Sequence, residues 1–287
     1  MFEIGSHCHG TNNQDIFDIE RVVFLGDSVT VGTPPTEVPD YYRSVVADAL
    51  AAQFGLAPPG GLWKTADPFN GTSIVQDAGD FSSCAKWGAR TDDFLMGGDQ
   101  VAKCFPPEKR DLNTLVVMTM GGNDLSRLAE DGIGSTPKPA ADLWADVEQF
   151  VQYKRAAVQW LKDPLNLTGD VSVVFANVYE YSDGTADLLS CPAAGTAGFD
   201  ENWMDPALLM EMAVYANEQY AHIAYETGSD LVLMLEEFCG RGFRRDDPNT
   251  VCYRGPGESA YFDLTCIHPT GTGHLALAQL FLDVIEE

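Results

Sequence analysis

A serine at the end of a buried strand and a histidine held in a loop are two of the parts that nucleophilic acyl transfer needs. This chain of 287 residues carries both. Arg21-Val22-Val23-Phe24-Leu25 is a short apolar run, and Gly26-Asp27-Ser28 follows it directly. The run reads as a buried strand and the tripeptide as the sharp turn at its C-terminal end, the edge at which open parallel sheets meet their ligands. A serine hydroxyl attacks poorly unless a base takes its proton. Near the other end of the chain, Asp263-Leu264-Thr265-Cys266-Ile267-His268-Pro269 precedes the last helix, and Pro269 keeps His268 out of that helix. His268 is the candidate base for Ser28. A Gly-Asp-Ser turn alone is ordinary, and a lone histidine is usually structural, as His222 and His274 in helices are expected to be. It is the pair that points to chemistry.

The surrounding elements must bring these two residues together across some 240 positions of sequence. A second apolar strand, Leu115 to Met120, runs straight into Gly121-Gly122-Asn123-Asp124, so an apolar strand followed by a glycine-containing polar turn occurs twice. Further strands are expected at Val171–Asn177 and Leu231–Leu235. Helices are expected from about Asp40 to Phe54, Ala140 to Leu161, Pro206 to Thr227 and Gly271 to Ile285, the second with Leu143, Val147, Phe150, Val151 and Val158 on one face. Strands alternating with helices predict a parallel sheet covered on both faces. Residues 58–88 read as irregular, with one short strand at Ser73-Ile74-Val75. Residues 1–19 read as a polar, loosely ordered leader and residues 20–287 as a single domain.

Gly26-Asp27-Ser28, Gly88 within Trp87-Gly88-Ala89-Arg90, Gly121-Gly122-Asn123-Asp124 and His268-Pro269 occur in that order. Together they resemble the four blocks of the SGNH hydrolases, also called the GDSL esterase/lipase family. The resemblance spans Gly26 to His268. It implies a flavodoxin-like three-layer α/β/α sandwich with a central parallel sheet. It also implies a serine esterase or lipase that cleaves carboxylic esters through an acyl-enzyme on Ser28, with no metal and no other cofactor. By the same resemblance the backbone N–H groups of Ser28 and Gly88 and the side-chain amide of Asn123 form the oxyanion hole.

One position departs from the pattern. The family orients its histidine with an aspartate three residues earlier, where this chain has Thr265. Asp263, five residues before His268, is the nearest acid. Asp263 is the first choice for the orienting role, reached through a displaced loop; its rival is the Thr265 hydroxyl or a backbone carbonyl, which would leave a dyad. Asp27 and Asp124 read as local turn-fixing carboxylates. The substrate could be a small-molecule, lipid or carbohydrate ester. A carbohydrate deacetylase or an acyltransferase would use the same residues, and a non-catalytic binding module would result if Thr265 disables the triad.

Charge narrows the partners. A net charge of −26, from 43 acidic and 17 basic residues with no basic cluster, disfavours binding to nucleic acid or to an anionic lipid surface. No apolar run approaches the roughly 18 residues of a membrane span. Seven cysteines without a Cys-x-x-Cys pair argue against zinc and for an oxidising compartment, secreted or at the cell envelope, although no signal peptide is visible. From loop proximity the expected bridges are Cys84–Cys104, Cys191–Cys239 and Cys252–Cys266, leaving Cys8 free. Trp63, Trp87, Tyr179, Tyr181 and Trp203 are available to line a cleft.

Overall fold

The three apolar runs become neighbouring strands of one sheet, as burial on both faces demands. In the computed structural model, which describes residues 4–287, the chain begins with β1 (Arg21–Gly26), the one-turn helix α1 (Ser28–Val31), α2 (Tyr42–Phe54) and α3 (Gly61–Lys64). A small hairpin of β2 (Ala66–Asp67) and β3 (Thr72–Ser73) follows, then β4 (Asp77–Ala78), β5 (Phe81–Ser83), α4 (Gln100–Cys104) and β6 (Thr114–Thr119). The second half holds α5 (Gly122–Asp131), α6 (Ala140–Lys162), β7 (Val171–Ala176) and α7 (Pro206–Thr227). It closes with β8 (Asp230–Val232), α8 (Met234–Phe238) and α9 (Gly271–Glu286). The main sheet has the order β4-β5-β1-β6-β7-β8. All its pairings are parallel except the short edge pair β4–β5, so the expected parallel sheet carries one antiparallel edge.

Register assigns the layers. Phe24 of β1 is level with Val117 of β6, and Val117 with Val174 of β7, so the three share a face. Phe175, one residue on, faces the other way. Phe24 meets Tyr42 of α2 at 6.4 Å and Trp63 of α3 at 5.5 Å between ring centroids, and Tyr42 stacks on Phe281 of α9 at 5.3 Å. On the opposite face Phe175 meets Tyr220 of α7 at 6.2 Å, and Trp144 of α6 meets Tyr215 of α7 at 5.4 Å. Helices therefore cover both faces, giving three layers of α, β and α.

The same register sets out the site. Gly26, the last residue of β1, pairs with Thr119, the last of β6. Whatever follows each strand emerges side by side at one edge of the sheet.

Several elements differ from expectation. The Gly121–Asp124 stretch opens a helix, α5, instead of a simple turn. The strand at 231–235 stops at Val232 and gives way to α8. The expected strand at 73–75 is confined to Thr72–Ser73, while β5, in the stretch read as irregular, pairs directly with β1. The leader is not loose over its described part: Thr11 N–H donates to Leu231 O (2.9 Å), Asn13 N–H to Asp230 Oδ1 (2.7 Å) and Gln14 Nε2 to Val173 O (2.8 Å). The Thr11 hydroxyl also accepts from Leu231 N–H at 2.9 Å, so Thr11 pairs with the open edge of β8, which an unpaired strand otherwise leaves as a liability. Met1 to Glu3 lie outside the described residues.

Cys84–Cys104 forms as expected, and Cys8 is free. The other two pairings are corrected to Cys191–Cys266 and Cys239–Cys252. The loop between β7 and α7 folds over the one that carries His268, placing Cys191 against Cys266 despite 75 residues of separation.

Candidate active site

Ser28 opens α1 at the C-terminal end of β1. Gly26 makes the turn possible: its φ is +145° and a Cβ there would sit 2.2 Å from Thr119 O, so only glycine fits. Gln100 brackets its peptide, accepting from Gly26 N–H at 2.9 Å and donating to Gly26 O at 2.8 Å. Asp27 Oδ1 caps α1 through Val29 N–H at 2.9 Å, and Thr30 Oγ1 ties the helix to Thr119 and to the Tyr42 hydroxyl, each at 2.7 Å. The serine is thus presented by a turn held from several sides.

His268 meets it from the loop before α9. Its Nε2 lies 2.9 Å from Ser28 Oγ, and its Nδ1 lies 2.8 Å from Thr265 Oγ1. The Thr265 hydroxyl and backbone N–H both donate to Asp263 Oδ1, the latter at 2.7 Å. A hydroxyl has one proton. With that proton on Asp263, Thr265 Oγ1 can only accept from His268 Nδ1–H, which leaves the Nε2 lone pair facing Ser28. Thr265, the rival, is therefore the histidine's direct partner, and Asp263, the first choice from the sequence, stands one hydroxyl behind it.

The loop is secured around this relay. Asp263 N–H donates to His268 O (3.0 Å), and the Tyr179 hydroxyl donates to Ile267 O (2.6 Å). Cys266 adopts φ +73°, unusual for a side-chain-bearing residue, and is bonded to Cys191. Replacing both Cys191 and Cys266 by serine is expected to slow turnover about tenfold, because it releases the loop that aims His268. Closure of a 75-residue loop adds a stability loss on the order of 4 kcal/mol. Removing Cys84–Cys104 is expected to lower the urea midpoint without that loss of turnover; equal kcat for both variants would count against the idea.

Asn123, in the first turn of α5, lines a cavity together with Ser28, and its Nδ2 donates to Ala89 O at 2.8 Å. Gly88 precedes Ala89 in an exposed turn with φ +72°, anchored to the end of β1 by Lys86 N–H to Gly26 O at 3.1 Å. It lies beside the carbonyl that Asn123 holds, outside the wall of that cavity. The structure thus gathers Ser28, His268, Thr265, Asp263 and Asn123, with Gly88 next to them.

Burial governs the electrostatics. His268 is held below the ordinary histidine value by desolvation, partly opposed by the charge of Asp263. Desolvation likewise raises Asp27 to about 7, against the Val29 N–H that favours its charged form. It raises Asp124 to about 6, although Thr91 donates to that carboxylate from backbone and hydroxyl. Beneath them Lys154 is fully buried, with Nζ 4.6 Å from the centre of Phe175 and 5.2 Å from that of Tyr220. Burial lowers it to about 7, while Asp27 and Asp124 pull the other way. Asp27 serves its own turn, as read from the sequence; Asp124 instead holds Thr91, 33 residues away, which corrects its reading as a local turn-fixing carboxylate.

Thr30, Gln100 and Lys154 were not singled out by sequence reasoning. Lys154 had a signal: it falls four residues after Phe150 and four before Val158, on the stripe that α6 buries. Trp63 and Trp203 are core residues, whereas Tyr179 and Tyr181 line the cavity. His274 is buried between the rings of Tyr41 and Tyr42, accepts from Tyr42 N–H at 3.3 Å, and is structural.

No protein-family model matches the sequence, and no curated sequence relative is found. Solved structures do match. Phospholipase A1 from Streptomyces albidoflavus NA297 aligns over 92% of this chain and 98% of its own, with TM-score 0.50 and 17% identity. An acetyl xylan esterase aligns over 92% and 99%, with TM-score 0.51 and 14% identity. A carbohydrate acetylesterase from Sinorhizobium meliloti aligns over 93% and 99%, with TM-score 0.50 and 11% identity. The chain shares the α/β fold of this phospholipase and these two esterases, as the sequence resemblance implied.

Proposed function

We propose that the chain is a serine-type carboxylic ester hydrolase working through an acyl-enzyme on Ser28. The observation that carries this reading is the 2.9 Å contact between Ser28 Oγ and His268 Nε2 at the C-terminal edge of the sheet, with the imidazole backed by a hydroxyl and a carboxylate. The folds it shares with a phospholipase and two acetylesterases agree with it. Three disulfides suit a secreted or envelope-exposed enzyme.

As Ser28 Oγ bonds to the ester carbonyl carbon, His268 Nε2 takes its proton. The imidazolium is stabilised through Nδ1–H to Thr265 and onward to Asp263. The tetrahedral oxyanion is received by the N–H groups of Ser28 and Gly88 and by the Asn123 amide. Collapse breaks the ester C–O bond, and His268 returns the proton to the leaving alcohol. Water, deprotonated by the same base, then releases the acid. Thr265 gives His268 an acceptor where the family has an aspartate, which supports the catalytic reading over that of a binding module.

A fluorophosphonate probe tests the reading. Stoichiometric labelling mapped by mass spectrometry to Ser28, with parallel loss of p-nitrophenyl butyrate hydrolysis, is the expected result. Hydrolysis that persists after full labelling, or no hydrolysis at all, would overturn it. The acid limb of kcat/KM reports the base in the free enzyme. Since burial lowers the pKa of His268, activity is expected to survive acidification past pH 6.5 and to fall only at a lower midpoint. A midpoint above 6.5 would contradict that environment.

A further inference from the structure

We propose that the cavity beside Ser28 is an acyl pocket, making this enzyme selective for esters of medium- and long-chain fatty acids over acetyl esters. The proposal rests on the assignment of Ser28 as nucleophile. Its enclosed space is about 80 Å³, room for roughly five to eight waters at the ~10–15 Å³ that each needs. An acetyl group would leave most of it empty.

The larger part of its exposed wall is hydrocarbon. Leu125 and Ala129 come from α5, Leu209 and Ala213 from α7, and Leu188 and Phe199 from the loop between β7 and α7. Several of the polar side chains that line it are paired with other protein groups. Asn177 donates to Glu236 at 2.8 Å and accepts from Leu235 N–H at 2.7 Å. The Glu180 carboxylate accepts from Ser182 and from Gly184 N–H. The hydroxyl of Tyr181 donates to Leu188 O at 3.0 Å, and that of Thr119 is paired with Thr30. A sugar seated here would bury hydroxyl groups against a wall that offers them little, at about 1–3 kcal/mol for each left unpaired. An alkyl chain meets no such cost and gains from each methylene it buries. The alanines at 129 and 213 keep the space open, since each removes the bulk that a larger residue would project into it.

The magnitude follows from transfer energetics. Burying a methylene is worth about 0.8 kcal/mol, or roughly fourfold. Four more methylenes, from butyrate to octanoate, are therefore expected to raise kcat/KM by about 10²-fold for monomeric p-nitrophenyl esters below their aggregation limit. Ala213→Trp fills the cavity from α7, and Ala129→Phe fills it from α5. Each is expected to bring the octanoate-to-butyrate ratio back towards one.

The experiment measures wild type and both variants on acetate, butyrate, octanoate and dodecanoate esters, together with displacement of a fluorescent polyene fatty acid from wild type by octanoate or acetate. A ratio near 10² that both variants abolish, with displacement by octanoate alone, supports the pocket. Activity that is flat or highest on acetate overturns the pocket and leaves the esterase reading standing. If no ester is cleaved, the esterase reading falls and displacement decides the cavity alone: octanoate-selective displacement keeps it as a fatty-acyl site, and no fatty-acid binding removes it. A variant that fails to fold leaves the wild-type series and the displacement to decide.

Discussion

Ser28→Ala and His268→Ala are each expected to reduce kcat on a p-nitrophenyl ester by about 10⁴–10⁶, and the double variant to be no slower than the worse single one. The two side chains act as one unit. Without Oγ there is no nucleophile for the base to activate, and without Nε2 the hydroxyl keeps its proton as it attacks. Removing the second member of a unit that is already broken costs little more, so the loss must be non-additive. Stability is expected to stay close to wild type in Ser28→Ala, because the turn is held by Gln100, Asp27 and Thr30 and not by Oγ. Activity within tenfold of wild type in either single variant, or multiplied losses in the double, would show that the 2.9 Å contact is not the reacting pair.

What the sequence disclosed follows from how local each feature is. β1, β6 and β7 were legible because strands buried on both faces are written as continuous apolar runs. The bounds of α7 were legible because Pro206 sits at its first position and Gly228 closes it in the left-handed region. β5 was not: it is three residues long, and two of them are buried serines, Ser82 being held by Arg21 from the neighbouring strand at 2.7 Å. No local pattern encodes a partner 61 positions away. α5 was hidden because it opens on glycine and asparagine, residues that by propensity favour turns.

The site divides in the same way. Ser28 and His268 were legible through short motifs, and the relay behind the histidine was narrowed to Asp263 and Thr265. That both stand behind the imidazole, in series, depends on the bend that turns the Thr265 hydroxyl and N–H onto one carboxylate oxygen. Gln100 reaches Gly26 across 74 residues, and its neighbours in sequence carry no trace of that role. Two of the three disulfides were mispaired for a related reason: pairing by loop proximity does not anticipate Cys191–Cys266, which joins two loops 75 residues apart in sequence.

Thr265→Val is expected to lower kcat by about 10²–10³ with KM little changed, while Thr265→Ser remains within a few-fold of wild type. Valine has the shape of threonine but leaves His268 Nδ1–H without an acceptor, so nothing fixes the tautomer that presents a lone pair to Ser28. The loss is set below the factor of about 10⁴ seen when a directly bonded carboxylate is neutralised in a serine protease, because here the charge stands one hydroxyl further away. Asp263→Asn is expected to cost about tenfold: an amide oxygen still accepts from Thr265, but the charge facing the imidazolium is gone. That variant carries a signature a purely structural role would not produce. Asp263 raises the pKa of His268, so removing its charge lowers that pKa and moves the acid limb of kcat/KM to lower pH, whereas Thr265→Ser leaves the limb in place. A wild-type rate in Thr265→Val would mean that another group orients the histidine. A loss in Asp263→Asn far larger than in Thr265→Val would mean that the carboxylate reaches the imidazole directly during turnover, with the hydroxyl as bystander.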